Sequence, residues 1–118
     1  YHITPMEINE TKQAERNLKA IEFEKAGEIE KAIALYEENI TEGFKGNHSY
    51  DRLAAIYKNQ LDLENEIRVL EKAIIVYEAI TIEDRIEGLP KLFRFKNRLE
   101  KAIETKKQLT KQKKAKLK

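Results

Sequence analysis

Apolar residues recur along this chain at three- and four-residue steps, interrupted at a few places by glycine, asparagine and proline. Met6, Ala14, Leu18, Ile21 and Phe23 keep helical spacing up to Gly27, a stop signal. Thr4-Pro5-Met6-Glu7 reads as the start of that helix, with Thr4 and Glu7 forming a capping box and Pro5 at the first helical position. A second helix is predicted from Glu28 to Ile40, with Ile29, Ala32, Ile33, Tyr36 and Ile40 on one face. Thr41 to Asn47, with two glycines, is the clearest loop. The third helix, His48 to Gln60, groups Tyr50, Leu53, Ala54 and Tyr57. The fourth, from Leu63 or Glu64 to about Ile82, carries Ile67, Leu70, Ala73, Ile74, Tyr77 and Ile80. A break is predicted over Asp84 to Leu89, around Gly88 and Pro90. The last helix then starts near Pro90 and buries Leu92, Phe93, Phe95 or the Lys96 stem, Leu99, Ala102 and Ile103. Beyond Ile103 only Leu109, Ala115 and Leu117 are apolar, so the helix continues as a solvated end. The pattern therefore predicts five helices and no strand.

One stretch is written twice, 34 residues apart. Ala20, Phe23, Ile29, Glu30, Ile33, Tyr36, Glu37 and Ile40 return as Ala54, Tyr57, Leu63, Glu64, Ile67, Leu70, Glu71 and Ile74. Such a period marks a helix-turn-helix unit that cannot bury its apolar face alone and stacks on a copy of itself. A weaker echo follows, since Leu99 to Ile103 repeats Leu70 to Ile74 letter for letter.

The spacing Tyr50-x2-Leu53-Ala54-x2-Tyr57, followed by Glu66, Ile67, Leu70 and Ala73, resembles the tetratricopeptide repeat. In that pattern a small residue lets the paired helices touch, and aromatics fill the gap to the next repeat. The upstream copy keeps Ala20, Phe23, Gly27, Ala32, Ile33 and Tyr36, but has Arg16 and Lys19 where an aromatic and Leu are expected. A solvated terminal repeat accounts for those two polar residues. The downstream copy departs at Glu66, where the family has a small residue, and at Leu61, where it has Gly. The resemblance implies an all-α, right-handed α-α superhelix of two hairpins, about 14–46 and 48–82, closed by a long capping helix at about 90–117. It also implies a protein-interaction module holding a peptide or partner helix in a groove lined by the first helix of each repeat. Carried onto this sequence, the groove positions are Asn17, Ile21, Glu24 and Lys25, then His48, Asp51, Arg52, Ala55, Lys58 and Asn59. Asn17, Arg52 and Asn59 would bond a peptide backbone or carboxylate. The basic clamp that some members use on terminal carboxylates is not reproduced, because Asn17 stands where Lys is needed. Two repeats and a cap are few for independent stability, so pairing with itself as a homodimer, or with a neighbouring domain, is expected.

Composition narrows the chemistry. At 118 residues, 41% hydrophobic and 37% charged, the chain suits one small helical domain and is too apolar for disorder. Its first residue is Tyr1, which reads as a piece of a longer chain. There is no cysteine, which removes disulfides and thiolate metal sites and suits a reducing, cytoplasmic setting. No apolar run is long enough to span a membrane, and no leader pattern opens the sequence. The net charge of +2 conceals an asymmetry: residues 101–118 hold eight lysines against Glu104, a local +7, leaving −5 on residues 1–100.

His48, Asp51 and Arg52 share a helix face, but a metal site would need further ligands, and His2 is the one other imidazole. Capping by Asn47, with Asp51 near the positive helix end, explains the same residues. Ser49 adjoins His48 in sequence, and neighbouring helical residues point apart, so they form no nucleophile pair. No phosphate loop, metalloprotease motif or nucleophile elbow occurs. The expectation is a non-enzymatic chain with no cofactor, metal, membrane or small-molecule substrate. Lys106, Lys107, Lys111, Lys113 and Lys114 supply a second reading, a salt-sensitive contact with nucleic acid or another polyanion. Lysine without arginine or interleaved aromatics provides no means of reading bases.

Overall fold

The computed structural model describes residues 5–116, with the side chains of residues 10–114. Among them are five helices and no strand: α1 (Pro5–Lys25), α2 (Ile29–Thr41), α3 (His48–Asn59), α4 (Leu63–Glu83) and α5 (Arg85–Lys116). The all-α expectation is met. His2, Thr4 and Leu117, and the side chains of Met6 and Ala115, lie outside this description.

Three helices end in the same hydrogen-bonded turn. Gly27 N–H bonds Glu24 O and Glu28 N–H bonds Phe23 O; Gly43 and Phe44 repeat this on Ile40 and Asn39, and Leu61 and Asp62 on Lys58 and Tyr57. This is a Schellman closure, and its central residue must adopt positive φ. Gly27 and Gly43 do so at 79° and 74°, while Leu61 does so at 59° with a side chain attached. Asp62 then opens α4 by accepting from the Asn65 N–H at 3.3 Å.

The chain divides into two compact units, Tyr1–Leu53 and Ala54–Lys118. The division falls inside α3. The reason is that the first turns of α3 belong to the polar interior of the first unit: Ser49 and Tyr50 are fully buried, and the Tyr50 hydroxyl donates to Phe44 O at 2.6 Å.

In the first unit α1 packs on α2. The expected stripe of Ala14 and Leu18 is not its inward face; Leu18 is exposed, and Gln13 and Ala20 are buried instead. The side of α1 facing α2 meets Asn39 and Glu42, which require polar partners, so Gln13 and Arg16 face inward.

The second unit is built on the antiparallel pair α4 and α5. Leu63, Val69, Leu70, Ala73, Ile74 and Tyr77 bury against Leu92, Phe95 and Ala102. Tyr77 and Phe95 rings lie 5.5 Å apart. Two expected core residues are outside it: Phe93 is 56% exposed and Ile103 is at the surface. One face of α5, through Leu92, Phe95 and Ala102, suffices to cover α4, and Phe93 falls on the other side.

The expected break at 84–89 is a single residue. Asp84 ends α4 through its N–H to Ile80 O at 2.7 Å, and its side chain accepts from the Glu87 N–H at 3.2 Å to open α5. Gly88 and Pro90 therefore lie within α5. Pro90 removes a bond to the carbonyl of Ile86, whose residue is 90% exposed and so open to water. Gly88 is there because the corner is tight: a Cβ would lie 2.7 Å from Thr81 N and 2.8 Å from Thr81 Cα. Proline and glycine here are tolerated by position, which is why they mislead as breakers.

Candidate functional site

The expected groove residues separate between the units. Asn17, Ile21, Glu24, Lys25, His48, Asp51 and Arg52 lie in the first; Ala55, Lys58 and Asn59 lie in the second.

In the first unit most of these polar side chains bond each other. The Arg52 guanidinium grips Glu24, with Nη2 at 2.6 Å from Oε1 and Nε at 3.2 Å from both carboxylate oxygens. The Tyr36 hydroxyl donates to Glu24 Oε2 at 2.6 Å. Burial pushes the Glu24 carboxyl up, but the hydrogen bonds from Arg52 and Tyr36 outweigh it and hold the group below its ordinary value. Burial, and then the hydrogen bond to Glu24, push the Tyr36 hydroxyl well up, against the pull of Arg52. A second network centres on fully buried Asn39. Its amide donates to Gln13 O at 3.0 Å and to Ser49 Oγ at 3.3 Å, and Ser49 donates onward to Asn17 Oδ1 at 3.3 Å. Gln13 and Arg16 both donate to Glu42, whose carboxyl is held low first by Arg16 and then by Gln13. Asn47 donates to Asp51 at 2.6 Å. The His48 ring lies 6.0 Å from Tyr36, with Nε2 buried and unbonded. Among the described residues no three His, Asp or Glu side chains form a metal-binding group. His2 falls outside that description.

The second unit presents an open site. A recess of about 560 Å³ is lined by Ala55, Lys58 and Asn59 of α3, Leu61 of the turn, Leu63 and Glu66 of α4, and Arg98, Lys101, Ala102 and Thr105 of α5. Glu66 is 4% exposed, and its Oε1 is buried with no hydrogen-bond partner. Burial raises its carboxyl above the ordinary value, against the opposing pull of Lys58 and Arg98. Arg98 is steadied by the Phe95 ring, 5.8 Å away. Three cations and an amide therefore surround one buried acceptor.

A second recess, about 620 Å³, adjoins the first. Leu61 and Leu63 line both, and the second continues past Asp62 and Glu64 to Lys106, Leu109, Thr110, Gln112 and Lys113. It exists because α5 outruns α4 and overhangs the Leu61–Asp62 turn. Between Arg98 and Lys113 the trough follows α5 for about 22 Å, at about 1.5 Å per residue. Leu61 stands 75% exposed at its middle. The lysines of the predicted polyanion contact flank it. Lys106 and Lys113 are in the trough, Lys106 lying 3.9 Å from Glu64. Lys107 and Lys111 border a shallow apolar patch with Ile67 and Ile103, and Lys114 is exposed further along α5.

Of the trough residues, Lys58, Asn59 and Ala55 were foreseen from the repeat; Leu61, Glu66, Arg98, Lys101 and Thr105 were not. Leu61 and Glu66 carried a signal all the same, since both depart from the repeat pattern where a small residue belongs. Arg98, Lys101 and Thr105 carried none, because α5 read as a cap.

No protein-family model matches this sequence, and no curated protein and no solved structure shows significant similarity to it.

Proposed function

We propose that this chain is a non-enzymatic protein-interaction module of tetratricopeptide character, working in the cytoplasm, and that it holds a partner peptide in the trough between α5 and the α3–α4 turn. The observation that carries this reading is Leu61. An exposed leucine in the left-handed region costs about 1–2 kcal/mol relative to the glycine that the equivalent turn has at Gly27. That cost gains no core packing, and the side chain stands between two recesses. Strain kept at an exposed apolar residue is what a binding anchor looks like. The 34-residue recurrence is consistent with a repeat that displays such a surface.

The test is amide chemical-shift mapping on the ¹⁵N-labelled chain, titrated separately with an acidic peptide, a basic peptide and a single-stranded oligonucleotide. Shifts at Lys58, Asn59, Leu61 and Thr105 with a peptide support the reading. Shifts confined to residues 106–114 and produced by the oligonucleotide alone replace it with polyanion binding by the lysine-rich end of α5. Concentration-dependent shifts with no ligand replace it with self-association.

A further inference from the structure

We infer that the occupant of the trough is an extended acidic peptide segment, and that the Glu66 side chain, whose Oε1 is closed off where it stands, turns into the recess to accept one of the peptide's backbone N–H groups. The inference rests on the peptide-binding reading above and names the chemistry of its partner.

Two features of the recess point the same way. The first is charge: Lys58, Arg98, Lys101, Lys106 and Lys113 line the trough against the carboxylates of Asp62, Glu64 and Glu66, a surplus of two positive charges. That surplus favours a partner carrying carboxylates and repels a basic one. The second is the stranded acceptor. A carboxylate oxygen buried without a donor loses its hydration and gains nothing in return, a cost that native structures seldom leave standing.

Glu66 adds negative charge, so a purely electrostatic anion site would be better without it. Its presence calls for a ligand that is anionic overall and yet brings a hydrogen-bond donor to that point. A peptide with Asp or Glu side chains does both, because every non-proline residue carries an N–H. An extended segment also fits the shape: about 22 Å of trough takes six or seven residues at about 3.3 Å each. Its acidic side chains would reach Lys58 and Lys101 on one side, and an apolar side chain would rest on Leu61 and Leu109. Main-chain bonding would supply orientation and side-chain charge the selection.

The probe is the acetylated, amidated hexapeptide Ala-Glu-Leu-Asp-Glu-Ala, with a set of analogues each N-methylated at one backbone amide. Affinities are measured by calorimetry on the full chain and on Glu66→Met, which keeps the length of the side chain and removes the acceptor. The expected result is one N-methyl position that weakens binding to the parent chain about tenfold and binding to Glu66→Met by less than about twofold. Glu66→Gln, which retains an acceptor oxygen, should keep most of the penalty. The ¹³C resonance of the Glu66 carboxyl should move on adding the parent peptide and not on adding the critical analogue. If the peptide binds but the N-methyl penalties are the same in both chains, the Glu66 contact is wrong and the binding module stands. Equal binding of a lysine-containing hexapeptide would remove the acidic partner. No binding by any peptide would remove both this inference and the function it rests on.

Discussion

The two units solve the same packing problem with different materials. In the first, Asn39 and Ser49 sit at zero exposure among Ala20, Ala32, Tyr36, Ile40, Tyr50 and Leu53, and the hydrogen bonds linking Gln13, Asn17, Asn39 and Ser49 tie three helices together. In the second, the centre is Val69, Leu70, Ala73, Tyr77 and Phe95, and the one polar intruder, Glu66, has an oxygen with no partner. Their turns differ in parallel. Gly27 closes the first hairpin without strain, whereas Leu61, 34 residues on, closes the second with it. The Asn39 network has no atom left to offer a ligand, while His48 Nε2 in the same unit is buried without a partner. In the second unit the unsatisfied Glu66 oxygen and the strained leucine lie along two adjoining recesses. Local imperfection of this kind is what sequence-level rules should fail to explain at a working surface.

The contrast can be broken most severely at Phe95. Phe95→Ala should cost about 3–5 kcal/mol in urea unfolding, because it empties a fully buried site in a unit held by apolar contact. At the α4–α5 corner, Gly88→Ala should cost about 1–3 kcal/mol, since the added Cβ meets backbone atoms of Thr81 that cannot swing aside. Hydrogen exchange should show that loss at the amides around residues 81–90.

In the first unit the equivalent blow is polar. Asn39→Ala should cost about 1–3 kcal/mol by removing the bonds to Gln13 O and the Ser49 hydroxyl and leaving a hole at a fully buried site. If Asn39→Leu is as stable as the parent, the network is dispensable and the comparison between the units fails.

Acid should act on the units in opposite directions. The folded Glu24 carboxyl lies below its unfolded value, so the stability it contributes is present at neutral pH and is lost as pH falls through the folded value. The folded Glu66 carboxyl lies above its unfolded value, so the second unit gains stability as pH falls from neutral through that raised value. As pH falls, unit-resolved hydrogen exchange should first show protection rising in the second unit, above the ordinary carboxylate value, and only below that value show protection falling in the first; Glu66→Gln should abolish the rise.

The smallest effect sharpens the comparison most. Leu61→Gly should stabilise the chain by about 0.5–1 kcal/mol, because relief of about 1–2 kcal/mol of left-handed strain is partly offset by the greater freedom of glycine in the unfolded chain, while weakening the hexapeptide. A variant that is more stable and binds equally well would leave Leu61 without a role.

Periodicity alone determined the five helices, most of the core of α2 to α4, and the turns at Gly27 and Gly43, because these depend on spacing within a few residues. It misjudged α1, where the inward face is chosen by what Asn39 and Glu42 require and not by which residues are apolar. It also misplaced the start of α5, since Gly88 and Pro90 are read as breakers unless the closeness of Thr81 and the solvated carbonyl of Ile86 are known. The groove positions Lys58 and Asn59 followed from the repeat, but their neighbours Arg98, Lys101 and Thr105 lie some forty residues further along the chain. Only the antiparallel return of α5 along α4 brings them to one recess. Local spacing is written in the chain; which distant side chains share a buried volume, and which buried oxygen is left without a donor, is settled by packing.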